Sequence, residues 1–107
     1  MPLTNSKKEI YLVITTEKDK KNASKLANLL LREKLVSCVN FKNIESYFWW
    51  EGNINRSKEV QLLIKCKQEN INEVNNKISE WHSYKLPEII YFRVSANKNY
   101  HDWVNSI

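Results

Sequence analysis

The sequence of 107 residues contains one glycine, two prolines and two cysteines. A single glycine rules out the glycine-rich loops that hold phosphate groups in nucleotide-binding proteins, and no GxSxG or HExxH motif is present. The two cysteines lie 28 positions apart without CxxC spacing. This excludes a zinc-ribbon site and a disulfide-dense secreted scaffold. These absences favour a folded domain without covalent catalysis, so we expect a protein that is not an enzyme.

Long hydrophobic runs are also absent, because no segment approaches the roughly 20 apolar residues that span a bilayer. The first residues, MPLTNSKKE, hold no apolar stretch typical of a signal peptide. We expect a cytoplasmic protein without membrane contact, in which residues 1–8 form a flexible extension. The net charge is +5, from 17 lysines and arginines against 12 acids. Because the basic residues are distributed along the whole chain, a solvated basic surface is favoured over a nucleic-acid partner.

What the chain does contain is an alternation of strand-like and helix-like segments. Apolar and β-branched runs predict strands over residues 9–16, 36–50, 58–67 and 88–95. Apolar residues at helical spacing predict helices over residues 20–34 and 69–81, and a short helix over 100–104. Asp19 or Asn22 can cap the first helix. The order βαββαβ predicts an α+β, ferredoxin-like fold in one domain that spans residues 1–107.

The only glycine, Gly52, lies between two apolar runs, which is typical of a β-hairpin. Residues 47–50 place four aromatic side chains beside this turn, on a hairpin that we expect to project beyond the helices. If the turn is centred on Gly52, an unbulged ladder pairs Cys38 with Cys66 on one face of the sheet. A bulge in the polar stretch 42–46 would shift that pairing by one residue.

Three side chains are candidate metal ligands: Cys38, Cys66 and His82. Thiolate and imidazole groups together favour copper or zinc. His82 follows the second predicted helix at the opposite end of the sheet from Cys38, so a joint site would need a neighbouring subunit. Two alternatives remain. The cysteines can be small buried apolar residues, and His82 can cap the helix C-terminus.

The strands predict self-association, because they are apolar at successive positions rather than at alternate ones. Successive apolar residues at 10–14, 62–64 and 89–92 put apolar side chains on both faces of the sheet. Both crossover helices cover the same face, and a short C-terminal helix covers little of the other. An apolar surface of this kind marks an interface.

A second set of residues lies at predicted strand ends and turns, where it could line an inter-subunit cleft. Its polar and aromatic groups would bind a small polar ligand there. The members are Trp50, Glu59, Lys65, Tyr84 and Glu88. For Trp50, as for the other aromatic residues of the hairpin, packing is the alternative role.

Five blocks of the sequence, in order, resemble the CutA-type divalent-cation tolerance family. They are Glu33-Lys34-Leu35…Cys38-Val39-Asn40, Ser46…Trp50-Glu51-Gly52-Asn53-Ile54, Glu59…Leu62-Leu63-Ile64-Lys65, His82…Tyr84…Pro87-Glu88-Ile89 and Tyr100…Trp103. The resemblance extends from about Ile10 to Trp103.

This resemblance implies a homotrimer of ferredoxin-like subunits that binds divalent metals, most often copper, and is linked to the response to metal ions. It implies no organic cofactor. The family architecture is similar to that of the PII signalling proteins. This similarity leaves an alternative, in which a signalling or scaffold trimer binds a small anionic ligand through Lys65, His82 and Glu88.

The sequence departs from the family pattern at three positions. Phe48 stands where the family usually has tyrosine, which removes a hydroxyl group from the hairpin. Ser83 replaces the proline that follows His82, and we expect it to loosen that loop. Cys66 stands where threonine is common, and it adds a thiol to the candidate metal ligands.

Overall fold

In the computed structural model, which describes residues 8–107, two helices pack on one face of a four-stranded antiparallel sheet. The elements are β1 (Glu9–Glu17), α1 (Lys20–Arg32), β2 (Cys38–Trp50), β3 (Asn53–Cys66), a 3-10 turn (Gln68–Asn70), α2 (Ile71–Trp81), β4 (Ile90–Ser95) and α3 (Lys98–Asn105). The strand order is β2-β3-β1-β4. This confirms the predicted ferredoxin-like α+β fold.

Element boundaries differ from the predictions mainly in the hairpin. β3 begins at Asn53, five residues earlier than predicted, because its polar first residues pair with the last residues of β2. The predicted extension over residues 1–8 lies outside the described residues except for Lys8, whose carbonyl accepts a hydrogen bond from Ala96 N–H at 2.8 Å. Within the described part of the chain, no helix is long and apolar enough to cross a membrane.

The core lies between the sheet and the two crossover helices. Asp19 caps the N-terminus of α1. Its Oδ1 accepts a hydrogen bond from the Asn22 N–H at 2.8 Å and satisfies one of the free donors of the first turn. This hydrogen bond also holds the pKa of Asp19 below its usual value. The side chains that fill the core from α1, α2 and β3 are Ala23, Leu26, Leu30, Val74, Ile78, Leu62 and Ile64.

The hairpin between β2 and β3 turns on two residues, Glu51 and Gly52, with φ angles of 50° and 80°. Positive φ at both positions is the geometry of a type I′ turn. The turn is therefore centred between Glu51 and Gly52, so Cys38 lies opposite Lys65. The predicted pairing of Cys38 with Cys66 is wrong by one residue, and the ladder runs without a bulge. Since strand side chains alternate, the two cysteines lie on opposite faces of the sheet.

The face of the sheet away from α1 and α2, called here the open face, is apolar over β1 and β4 and of mixed polarity over β2 and β3. The register places Leu12 and Ile14 of β1 beside Leu63 of β3 and beside Phe92 and Ile90 of β4. Of these, Ile90 is 51% exposed and Phe92 is 44% exposed. The prediction that both faces of the sheet are apolar is confirmed.

The C-terminal helix α3 covers one end of the open face. It contacts β1 and β3, its Tyr100 lies against Cys38, and Ile10 of β1 is buried at this end. The rest of the open face has no cover within residues 8–107, and the hairpin extends the molecule to 50 Å in its longest dimension.

Candidate functional site

A groove of about 1060 Å³ lies between the hairpin and the loop that follows α2. Four of the five predicted cleft residues line it: Trp50, Glu59, Tyr84 and Glu88. The hairpin reaches this position because its two strands pair continuously to the tip. The loop reaches the groove because α2 ends at Trp81. The backbone N–H of the next residue, His82, donates to the Ile78 carbonyl at 2.9 Å. The two elements thus bring together residues that are far apart in sequence.

Lys65, the fifth predicted cleft residue, does not line the groove. It lies opposite Cys38, and its ammonium group donates a hydrogen bond to Asn40 Oδ1. The charged groups that do line the groove are three carboxylates and one lysine: Glu45, Glu59, Glu88 and Lys85. Sequence reasoning missed Glu45, whose carboxylate pairs with Arg56 at 2.7 Å. This balance of charge suits a cation better than an anion.

Tyr84 ties the loop to the sheet. Its hydroxyl donates to Glu59 Oε2 at 2.7 Å. Burial raises the pKa of Tyr84 well above its usual value, and the bond to Glu59 and the charges of Glu59 and Glu17 raise it further. The phenol therefore stays protonated at neutral pH and acts as a donor that fixes the Glu59 carboxylate at the groove.

A buried carboxylate, Glu17, anchors the base of the same loop. Glu17 is 1% exposed, and it accepts hydrogen bonds from the backbone N–H groups of Lys18 at 3.2 Å and Ser83 at 3.1 Å. The Ser83 hydroxyl donates a further bond to it. A proline at position 83 could make neither Ser83 bond, so the expectation that Ser83 loosens this loop is wrong.

Glu17 was missed from the sequence, although the signal was available. In a strand, residues i, i+2 and i+4 share a face. Val13 and Thr15 are buried under the helices, so Glu17, at the end of the same series, faces the same way. The alternation therefore predicts that Glu17 is buried. Its charge led to the opposite interpretation, because an acidic residue after an apolar run more often lies at the exposed end of a strand.

His82 is buried beside Glu17, and both ring nitrogens are hydrogen-bonded. Nε2 lies 2.6 Å from the Thr16 carbonyl and must donate to it, since a carbonyl can only accept. Nδ1 accepts the Tyr84 N–H at 3.0 Å. The side chain is 0% exposed. In this arrangement neither nitrogen has a lone pair free for a metal ion.

The two cysteines differ in environment. Cys66 is 1% exposed on the helix-covered face, and burial raises the pKa of its thiol to about 11. It is therefore protonated at neutral pH, and the thiol form is a poor metal ligand. Cys38 is partly exposed on the open face. Burial, and to a smaller extent contact with Cys38, raise the pKa of the neighbouring Tyr100.

The structure therefore does not bring the three predicted metal ligands together within one subunit. Cys38 lies on the open face, Cys66 on the opposite face, and His82 beside Thr16 near the far end of β1. Within residues 8–107, no three histidine, cysteine or acidic side chains are grouped so that they could hold a metal ion.

Residues 11–107 match the family described as CutA1 divalent ion tolerance protein. The chain belongs to this family. The divalent-cation tolerance protein CutA of Pyrococcus horikoshii is 35% identical over 96 residues, which cover 89% of this chain and 94% of the relative. The solved structure of the periplasmic divalent cation tolerance protein CutA from Archaeoglobus fulgidus has a TM-score of 0.86 and 31% identity, and covers 92% of this chain and 96% of that one.

The family includes plant members as well. A protein named CutA 1, chloroplastic, from Oryza sativa is 30% identical over 108 residues, which cover 99% of this chain and 61% of the relative. The names of these three CutA relatives refer to cation tolerance or to a compartment, and none is the name of an enzyme. The compartments in these names differ, because the Archaeoglobus fulgidus protein is called periplasmic and the Oryza sativa protein chloroplastic.

Proposed function

We propose that this CutA protein is a non-enzymatic homotrimer that binds copper or a similar divalent metal ion and takes part in the response to metal ions. Membership of a divalent ion tolerance family supports the cation. The observation that carries the proposal is the position of Cys38, a partly exposed thiol at the α3-covered end of the open face, beside the area that a neighbouring subunit would cover.

Self-association is supported by the open face. Ile90 and Phe92 expose about half of their surface there, and the aromatic residues of the hairpin tip add to the uncovered area. Burying a few hundred Å² of such surface contributes several kcal/mol per subunit at about 25 cal/mol per Å², before the cost of association. A trimer closes this face without leaving an open edge for further growth.

Cys38 is the metal ligand favoured by the structure of the single chain. Cys66 is protonated and buried, and His82 uses both nitrogens for hydrogen bonds. A single thiolate does not make a metal site, so the remaining ligands in this proposal come from the neighbouring subunit. Soft thiolate ligands favour copper among the common metal ions.

Calorimetric titration of the reduced protein with copper tests the role of Cys38. The Cys38→Ser variant is expected to bind copper at least about tenfold more weakly, because it lacks the thiolate. The Cys66→Ser variant is the matched control and is expected to keep the affinity of the unmodified protein. Equal affinity in the unmodified protein and in Cys38→Ser would remove Cys38 from the site.

The alternative, a signalling or scaffold trimer that binds a small anionic ligand, has no support from the groove. Lys65 lies away from it, and the ring nitrogens of His82 are both occupied. The groove itself carries mainly carboxylates. We therefore retain the metal-binding proposal alone.

The cytoplasm is the proposed location. The two cysteines are free and lie on opposite faces of the sheet, so they cannot form a disulfide with each other within one chain. Free thiols are the usual state in a reducing compartment.

A further inference from the structure

Most of the net charge of the protein is carried by α1 and its ends. Residues 18–34 contain six basic residues and two acidic residues, a net charge of +4, whereas the whole chain has a net charge of +5. The lysines and arginines are spread along the sequence, as expected, but outside this segment the acids balance them. The positive field is therefore concentrated on one helix.

Three of the four basic side chains of α1 lie on one face, and Lys20 lies outside it. Lys21, Lys25 and Arg32 fall within about 40° of one another around the helix axis, over roughly 16 Å of its length. Lys18 precedes the helix, three residues before Lys21, which is a helical spacing. All four side chains are exposed. We call these four residues the basic stripe. The buried residues of α1 lie on the opposite side of the helix, so the stripe faces away from the core.

The basic stripe forms no ion pair within residues 8–107, where every ion pair involves other side chains. At its N-terminal end, Lys18 lies in a pocket that two glutamates of the hairpin also line. The neighbouring helix α2 is different. Its exposed positions hold no basic residue. Its only lysine, Lys77, is partly buried and lies near Glu80 and over the Trp81 ring. Positive charge is thus concentrated on one of two adjacent helices, where Lys21, Lys25 and Arg32 form no ion pair.

We propose that the basic stripe is a docking surface for an acidic segment of a partner protein. Charge complementarity supports an anionic partner. The stripe lies on the opposite side of the sheet from the open face, so trimer formation there leaves it accessible. This surface does not depend on metal binding.

Two other anionic partners fit the helix less well. An anionic membrane would require the apolar face of α1 to insert, but Leu26 and Leu30 on that face are buried in the core. A nucleic acid would be held by phosphate contacts, for which arginine forks are the favoured groups, and the stripe has only one arginine.

The residues beside the stripe also favour a protein partner over a nucleic acid. Leu31 is 38% exposed beside the stripe, and it offers an apolar contact that a phosphate backbone cannot use. The stripe runs from Lys18 to Arg32, about four turns of helix, which is the length of a short peptide segment.

Fluorescence anisotropy with a labelled peptide of glutamate blocks around central leucines tests this proposal. The Lys21→Glu/Lys25→Glu variant is expected to bind the peptide at least about tenfold more weakly, because two attractive contacts become repulsive. The control Lys67→Glu/Lys98→Glu makes the same charge change outside the basic stripe and is expected to stay within about twofold of the unmodified protein. Added salt should weaken the binding.

Equal losses in the two double variants would overturn the proposal, since they would show a response to net charge alone. Tighter binding of a DNA duplex than of the peptide at equal ionic strength, lost in the same α1 variant, would also overturn it in favour of nucleic acid. Circular dichroism checks that the variants fold. If the glutamate pair disturbs the helix, Lys21→Gln/Lys25→Gln removes the charges without repulsion and is expected to weaken binding in the same direction.

Discussion

Replacing Phe92 with glutamate is expected to convert the proposed trimer into monomers. Phe92 lies on the open face in the edge strand β4, paired with Leu12 of β1, and is 44% exposed in the single subunit. A neighbouring subunit would bury it. An unpaired carboxylate buried at that position costs several kcal/mol, and a closed trimer contains it three times. Association should therefore weaken by at least about a hundredfold.

The matched control is Tyr91→Glu. Tyr91 is adjacent in β4, is 52% exposed and lies on the helix-covered face near Tyr11. The Tyr91→Glu substitution makes the same charge change on the same strand, but its side chain points away from the proposed interface. The proposed trimer should therefore persist. Sedimentation velocity or mass photometry at micromolar concentration measures both variants. An unmodified protein that is itself monomeric, or a Phe92→Glu variant that stays trimeric, would refute the interface.

Introducing proline at position 83 is expected to destabilise the protein by about 2–5 kcal/mol per subunit. Ser83→Pro removes two hydrogen bonds to the buried carboxylate of Glu17, from the backbone N–H and from the hydroxyl. Bonds to a charged group contribute about 1.5–3 kcal/mol each. Proline recovers only about 0.4–1 kcal/mol by restricting the unfolded chain. The loss is the larger effect, even though proline is the usual residue here in the pattern that the sequence resembles.

Ser83→Ala is the graded control, because it removes the hydroxyl bond but keeps the backbone N–H. It should lose about half as much stability as Ser83→Pro. Urea unfolding, with all variants at one protein concentration, measures the differences, since oligomerisation makes stability depend on concentration. A Ser83→Pro variant as stable as the unmodified protein would mean that Glu17 does not hold this loop.

The fold was predictable because its signals are local. The apolar stripes of α1 and α2, the apolar runs of the strands and the glycine at the hairpin tip each act within a few residues, and together they specify the order βαββαβ. The hairpin register was not predictable to one residue. Gly52 indicates a turn, but the sequence does not determine whether Glu51 or Asn53 is the other central residue of that turn. The positive φ of Glu51 in the structure shows that it is Glu51, and this sets the register.

The candidate site was less predictable, because its parts come from distant segments. Tyr84 and Glu59 were expected at one cleft from their places at strand ends and turns, and the structure places both in the groove. Lys65 was misplaced because it lies six residues beyond Glu59 in β3, at the end of the strand away from the hairpin tip, opposite Cys38. Whether His82 has a free nitrogen depends on contacts with Thr16 and Tyr84, which no local pattern describes.

Native mass spectrometry with copper, on the unmodified protein and the Phe92→Glu variant, tests most directly whether the metal site is completed between subunits. The proposal predicts a copper-loaded trimer for the unmodified protein. It predicts that the Phe92→Glu monomer binds no copper even though Cys38 is intact. A monomer that binds copper with the same stoichiometry per chain as the trimer would contradict the claim.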